Sequence, residues 1–531
     1  MITFSRASSG TALTKVGTGP ELVTNGGFDD ASNWTGQWTI SGGVASADSV
    51  AVSNPTLNQN IGAGNKHYEV TLDIVSTNGT GVLEVYHINL GANAIFDIST
   101  TGTKTVRLFG GTHASNGQLS IRARAGFIGS IDNVSVKELV HDQVNGTLQL
   151  FNHPANQPRV EYDYQGNRLG LLVEEARTNT IGDSNVFLSD IGTAVSSSAE
   201  TSPDGTTTAT QVVTSGASVH RIRRTAGAVT ATGVAYAYSV FVKSDEVSYI
   251  QLLNGGDANY FATFDLVNET VGATGSATTG TITKYPNGWY RITALYDGTG
   301  NYAATGYIYA AASASATYGQ AANTPGLTFH LFGAQNEAGS FPTSYIPTTG
   351  ATATRSADVA SIGVGAFGYN AQGGTVVVTA DWYPGSNFLV SNRAALEIGD
   401  GGVSERLLIY NHDGFAGRGF MKGVLFGDQT GSGARITDDQ AKVALVFADA
   451  NQAHCVDGGS IDTGSAAMLA GTTIMKIGPT LRTGHISSIA YYPRRLTDAQ
   501  IKALTSPPET PTLSLTFDDS STSYLETSIH G

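Results

Sequence analysis

Short runs that alternate polar and apolar residues recur along almost the whole chain, closed off by clusters of Gly, Asn, Asp and Ser. Tyr68-Glu69-Val70-Thr71-Leu72-Asp73-Ile74 is one such run, and Thr375-Val376-Val377-Val378-Thr379-Ala380 is a denser, more apolar one. A period of two places successive side chains on opposite faces of a strand, so these runs predict half-buried β-strands joined by turns. The 65 glycines and a charged fraction of only 14% agree, because glycine weakens helix interiors and suits tight turns. Helical periodicity is clear only from Leu496 to Leu504, where Thr497 is placed to cap. The expected class is all-β.

A chain of 531 residues exceeds one sandwich, and its 40% hydrophobic residues suffice for several cores. Motif positions divide it into an N-terminal arm (1–20), a first unit (21–139), a connecting segment (140–179), a second unit (180–358), a third (359–506) and a tail (507–531) opened by Pro507-Pro508. The net charge of −14 repels phosphate backbones and argues against nucleic acid as a partner. Cys455 is the lone cysteine, so no intrachain disulfide is expected. No stretch approaches the roughly 18 apolar residues of a membrane span, and the first residues do not read as an export signal.

The first unit resembles the jelly-roll carbohydrate-binding modules attached to glycan-active enzymes and phage tail proteins. Asn25-Gly-Gly-Phe28, the pair Trp34 and Trp38, and Ile131-Asp132-Asn133-Val134-Ser-Val136 carry that resemblance. A second resemblance, to phage and prophage virion proteins, rests on Leu169-Gly-Leu-Leu-Val-Glu-Glu175-Ala-Arg177-Thr-Asn179, Asn287-Gly-Trp289-Tyr290-Arg291 and Leu331-Phe-Gly-Ala-Gln335-Asn-Glu337-Ala-Gly-Ser-Phe341-Pro-Thr-Ser-Tyr345-Ile-Pro347. His485-Ile-Ser-Ser-Ile489-Ala-Tyr491-Tyr-Pro493-Arg494-Arg495-Leu-Thr-Asp498 is similar to the last strand and final helix of a concanavalin- or laminin-G-like sandwich. Together these imply three β-sandwiches, two jelly rolls and one laminin-G-like unit. In such proteins a Thr-Phe-Ser-Arg-Ala-Ser arm commonly runs into a Pro-Arg-x-x-Tyr-Asp segment. Here Thr3-Phe4-Ser5-Arg6-Ala7-Ser8 and Pro158-Arg159-Val-Glu-Tyr162-Asp163 stand far apart, so the first jelly roll reads as an insertion in the arm.

The resemblance implies a tail-fibre or spike component, assembled in the host cytoplasm into the virion. It would be a homotrimer in contact with other virion proteins and adhering to a host-surface glycan. Leu513-Ser-Leu515-Thr516-Phe517-Asp518-Asp519 is similar to the first motif of polysaccharide deacetylases, in which one aspartate acts as base and the next ligates the metal. Ser520 replaces the usual glycine, and no His-x-x-x-His pair follows by Gly531. The run is therefore expected to open a further domain or to be one more strand. Two alternatives follow: the accessory part of a polysaccharide-modifying enzyme, or an architectural decoration protein without a ligand.

Candidate sites each carry two readings. Trp34, Trp38 and Tyr86 could stack on sugar rings, although core packing is the favoured reading of the tryptophans. Trp289 and Trp382 read as core. Asp29 and Asp132 could share a structural calcium, or Asp132-Asn133 could close a turn. Glu174, Glu175 and Arg177 read as ion pairing between linker and sandwich rather than acid–base chemistry, because no partner carboxylate in a cleft is evident. The 11 histidines follow no metal-binding spacing, and no nucleophile elbow or phosphate loop occurs. Catalysis is not expected from these residues.

Overall fold

The computed structural model describes residues 2–506 apart from 63–65, 88–92, 110–116, 207, 216–220, 226–232, 245, 255–257, 300–304, 323, 382–392, 403, 413–414, 422–423, 427–440 and 480–482. Trp382, Asp518, Asp519 and the alternating run at 512–517 lie outside the described residues. Among the described residues the chain is all-β, with antiparallel sheets and one α-helix, Asp498–Thr505. Thr497 caps that helix and Gln500 completes a capping box, as the sequence pattern anticipates. No described helix is long and apolar enough to cross a membrane.

The first sandwich packs a five-stranded sheet against a larger one. In order, the five strands are Thr35–Gly36, Thr56–Asn60, Gln118–Arg124, Val82–His87 and Asn93–Phe96. The opposing sheet is built on His67–Thr77 and Ile128–Val140. Phe28, Trp34, Trp38, Tyr68, Phe96 and Phe127 fill the space between. The Asn-Gly-Gly-Phe opening docks on the closing strand: Val134 N–H donates to the Gly26 carbonyl at 2.9 Å. A Cβ on Gly26 would stand 2.0 Å from the Val134 carbonyl oxygen. Only glycine permits that approach, which explains why the opening and closing motifs belong together.

The second sandwich pairs two six-stranded sheets, one centred on Thr305–Ala310 and Tyr249–Asn254, the other on Thr328–Ala338 and Tyr236–Lys243. Val240, Phe264, Ile292 and Ile308 are among its core residues. Trp289 is fully buried in a neighbouring cluster with Phe241 and Tyr345.

The third sandwich draws on three separated stretches of chain. One sheet begins with Thr3–Ser5, which pairs with Val359–Gly363 and continues through Ile474–Ile477 and Arg393–Gly399. The other begins with Arg159–Tyr162 and Arg168–Glu174, followed by Thr483–Tyr492, Gly373–Ala380 and Ala441–Ala448. Val376, Val378, Leu396, Ile409 and Phe447 fill its core.

Both jelly rolls therefore interrupt the third sandwich. The first leaves through Gly10–Glu21 and returns through Thr147–His153, which pair from Gly10↔His153 to Val16↔Thr147. The second leaves and returns through a two-stranded neck, Arg177–Asn179 against Ala353–Arg355. Adjacent ends are the geometric condition for an inserted module. Residues 1–20 and 140–179, read from sequence as arm and connection, thus supply sheet strands, the first neck and one strand of the second, because Arg159-Val-Glu-Tyr162 and Leu169-Gly-Leu-Leu-Val173 carry the apolar pattern of sheet strands.

Candidate functional site

Two places bring functional side chains together. The first is the outward face of the five-stranded sheet in the first sandwich. Leu83, Val85, Leu119, Ile121 and Ala123 point into the core, so strand alternation turns Glu84, Tyr86, Ser120, Arg122 and Arg124 outward. Ser120 lies opposite both Asn58 and Tyr86, and Tyr86 opposite Asn93, giving one continuous row. The Ser120 hydroxyl donates to Asn58 Oδ1 at 2.6 Å.

One step along the strands, Glu84 is fully buried beneath its partners and organises the face. Its Oε1 accepts from Arg122 Nε at 2.5 Å and Arg124 Nε at 3.1 Å, and its Oε2 from Asn93 Nδ2 at 2.8 Å. Burial alone would raise the Glu84 pKa, but hydrogen bonds from Asn93, Arg122 and Arg124 hold it below the usual carboxylate range. The Arg122 guanidinium lies 4.9 Å from the centre of the half-buried Tyr86 ring. The side chains of Arg122 and Arg124 remain 35% and 37% exposed. The result is a half-buried aromatic ring flanked by amides and two oriented guanidinium groups, with Ser120 fully buried beneath them.

The other sequence candidates fall elsewhere. Trp34 and Trp38 are 6% and 7% exposed, within the core. Their indole N–H groups donate to the Asn25 carbonyl at 2.8 Å and the Pro55 carbonyl at 3.1 Å. The sugar-platform reading of both is corrected accordingly: the indoles satisfy backbone acceptors and offer no open ring face. Asp132 Oδ1 accepts from the Asn133 N–H at 2.7 Å, and Asp29 is exposed. Among the described residues no group of three or more His, Cys, Asp or Glu side chains is placed to hold a metal ion.

In the second sandwich Arg221 lies over Tyr307 at 4.7 Å and is held by Asp190 at 2.8 Å. Residues 311–321 roof the adjoining part of that sheet, with the Tyr318 hydroxyl donating to the Asn254 carbonyl at 3.1 Å.

The second place is the junction of the three sandwiches, where a buried charge cluster forms. Asp358 holds Arg6 at 3.0 Å and also binds Arg159, while Glu174 holds Arg159 at 2.9 Å and Arg355 at 3.1 Å. All five side chains are at most 1% exposed. The Ser344 N–H and hydroxyl donate to Glu174 at 2.8 and 2.6 Å. Burial opposes the charge on Glu174, but Arg355, Arg159 and Ser344 outweigh it and drive its pKa far below the ordinary value. Such a group stays ionised at any working pH and cannot shuttle protons. The ion-pair reading of this motif fits that geometry, with Glu175 holding Arg177 at 2.5 Å.

Beside the cluster, His485 bridges two carboxylates, Nδ1 to Asp381 at 2.6 Å and Nε2 to Glu161 at 2.7 Å. Burial would depress its pKa, but the two carboxylates raise it to about 10, so the ring is a cation. The sequence reading missed Arg6, Asp358 and His485 as a functional set. Arg6 and Arg159 nevertheless sit inside two motifs singled out in the sequence, and Asp358 is the partner they share.

No family model matches the chain, and no curated protein matches it. Among solved structures, the N-terminal CBM22-1–CBM22-2 tandem domain of Paenibacillus barcinonensis Xyn10C aligns with 62% of this chain and 99% of its own, at 13% identity and a TM-score of 0.21. Trypanosoma rangeli sialidase aligns with 95% of this chain and 94% of its own, at 13% identity and a TM-score of 0.22. Likenesses this slight leave function to be argued from the side chains.

Proposed function

We propose that the chain is a non-catalytic glycan-binding protein, and that the outward face around Tyr86 is its contact surface. The observation that carries this reading is the row Asn58–Ser120–Tyr86–Asn93, backed by Arg122 and Arg124 on a buried Glu84. A sugar presents apolar C–H faces and planar sets of hydroxyls. An aromatic ring beside fixed amide and guanidinium donors complements both. The guanidinium pair suits a hydroxyl-rich or acidic polysaccharide.

The finer reading is a tail-fibre or spike component of a phage particle, a homotrimer bound to other virion proteins and adhering to host-surface glycan. Its support is the set of motifs around Arg6, Arg159, Glu174 and Tyr345. Three copies engaging one surface would gain about 10²–10⁴ over a single site.

The test is binding of the purified chain to host-envelope polysaccharide, with Tyr86→Ala and Arg122→Ala compared at unchanged circular dichroism. Truncating a central aromatic contact should weaken binding by about tenfold or more. Wild-type protein that retains no envelope glycan would favour the architectural reading. Full binding by Tyr86→Ala would move the site off this face.

A further inference from the structure

Of Asp, Glu, Lys and Arg, the five strands of the smaller sheet in the first sandwich hold only Glu84, Arg122 and Arg124. One carboxylate therefore serves two guanidinium groups, and the face carries one excess positive charge on a chain whose net charge is −14. Burial opposes the charge on Glu84, but the bonds from Asn93, Arg122 and Arg124 outweigh it, so the excess stands at neutral pH. Neighbouring carboxylates stand off this row. Asp97, just past the edge strand Asn93–Phe96, turns to the Ser99 N–H at 2.9 Å and to Lys104 at 3.7 Å. Asp29 and Asp30 precede Thr35–Gly36, which Thr56–Asn60 separates from Gln118–Arg124. Asp48 belongs to the opposing sheet, opposite Ile128.

Glu84 leaves much of both guanidinium groups open. Arg122 commits its Nε and Nη2 to Glu84 Oε1, and Arg124 commits its Nε. Among the described residues no other hydrogen bond or ion pair engages either group, so Nη1 of Arg122 and both Nη atoms of Arg124 can donate to a ligand. Donors already oriented by a buried carboxylate lose little freedom on binding, and the planar guanidinium fork matches a carboxylate. Arg122 also lies over Tyr86, so a ligand meets a cation on that face of the ring. Apolar surface stands alongside: Ile95 lies opposite Glu84, next to the Tyr86–Asn93 pair, and is 56% exposed. A single excess charge suits carboxylates spaced along a sugar chain. A dense row of sulfates or phosphates would bring further anions against a net-negative protein without partners.

On the reading that this face contacts glycan, we propose that its ligand is a uronate-bearing polysaccharide. One carboxylate seats on the outer edges of Arg122 and Arg124, and the C–H face of a pyranose ring packs on Ile95 and the exposed part of Tyr86. Glu84 is the positioning group beneath them.

The experiment is calorimetry on the full chain with four uronate polymers: polygalacturonate, alginate, hyaluronate and unsulfated chondroitin. Their methyl esters remove the charge and keep the sugars; dextran sulfate is the densely charged comparison, and dextran and galactan are the neutral ones. Arg124→Gln removes one charge and leaves Arg122 to neutralise Glu84, so no buried charge is orphaned; Arg124→Lys keeps the charge without the fork. Circular dichroism and melting check that both variants fold. At least one uronate polymer should bind wild-type protein, and its methyl ester about tenfold more weakly. Arg124→Gln should lose about tenfold for that polymer, the scale of one charge-assisted hydrogen bond at a partly exposed site, and Arg124→Lys less. The proposal is overturned if no uronate polymer binds at millimolar sugar, if the methyl ester or Arg124→Gln matches the parent, or if dextran sulfate binds more tightly than every uronate. Neutral polysaccharide that binds wild type and is lost in Tyr86→Ala would keep the face as a glycan surface while refuting the acidic class. Binding of any polymer that neither Tyr86→Ala nor Arg124→Gln weakens would refute the face itself.

Discussion

Replacing Glu174 by glutamine probes the charge junction with little change of shape. The carboxylate Oε2 accepts from Arg159 Nη1 at 2.9 Å, Arg355 Nη1 at 3.1 Å and the Ser344 hydroxyl at 2.6 Å. Its Oε1 accepts from the Ser344 N–H at 2.8 Å and Thr483 Oγ1 at 3.3 Å. An amide has one acceptor oxygen and one donor nitrogen, so either orientation sets an NH₂ against at least one group that can only donate, the guanidinium groups on one side or the Ser344 N–H on the other. The substitution also leaves the buried guanidinium groups of Arg159 and Arg355 short of one counter-charge. Removing one partner of a buried pair costs about 3–5 kcal/mol. For a unit of about 150–250 residues each kcal/mol moves the melting temperature by roughly 2–4 °C. The transition containing the third sandwich should therefore fall by roughly 6–20 °C in calorimetry at pH 7. Glu175→Gln serves as the control, because its pair with Arg177 is one-third exposed at the carboxylate and should count for about 1 kcal/mol or less. A Glu174→Gln protein that melts within about 2 °C of wild type, or no lower than the control, would refute the claim that this cluster ties the sandwiches together.

Stability should peak near pH 6.5 and decline on both sides. Burial holds His67 down to about 4 and keeps His141 and His153 below their ordinary 6.5. The unfolded chain takes up those protons first, and stability falls as pH drops from about 6.5 to 4. His485 is raised to about 10, so its contribution is complete below 6.5 and is lost as pH rises to 10; a melting temperature that stays flat from pH 7 to 10 would contradict this. Trp38→Ala should cost about 3–5 kcal/mol in the first sandwich through the cavity it leaves, and any loss of glycan binding should track that unfolding. Lost binding at native stability would return Trp38 to the contact surface.

Much of the fold is legible locally and little of its connectivity is. Alternation alone assigns Glu84 and Tyr86 to one face of Val82–His87, and the Thr497–Gln500 pattern locates the helix start. The core role of Trp34 and Trp38 follows from the size of their rings. The nested topology leaves no such trace, because pairs such as Thr3↔Ser361 and Leu171↔Ile486 join strands hundreds of residues apart. Charge partners are equally hidden: Asp358 sits in a plain Ser-Ala-Asp-Val stretch and gains its role only when Arg6 and Arg159 arrive from two other segments. The Tyr86 platform was half legible. Its aromatic was evident, but most of its polar neighbours come from three other strands.

That connectivity has a kinetic consequence. Closing a long loop costs entropy before any contact offsets it, so distant pairings form late. The strands of the first sandwich all lie within residues 10–153, and those of the second within 188–338. Each can form without the third. Once formed, the first brings Gly10 beside His153, and closure of the second neck brings Arg177 beside Arg355, which shortens both loops the third sandwich must close. The third sandwich is therefore expected to fold last, with Arg6, Arg159 and Arg355 meeting Glu174 and Asp358 as its final step. Pulsed hydrogen exchange during refolding reads this directly. Amides of His67–Thr77 and Tyr236–Lys243 should gain protection before those of Arg168–Glu174 and Val359–Gly363. A chain lacking residues 21–139, its flanks joined by a short linker, should still close the third sandwich, because the hairpin of Gly10–Val16 with Thr147–His153 remains to align Thr3–Ser5 and Arg159–Tyr162. If the third sandwich gains protection first, or fails to form in the deletion, the inserted modules are part of its nucleus rather than guests within it.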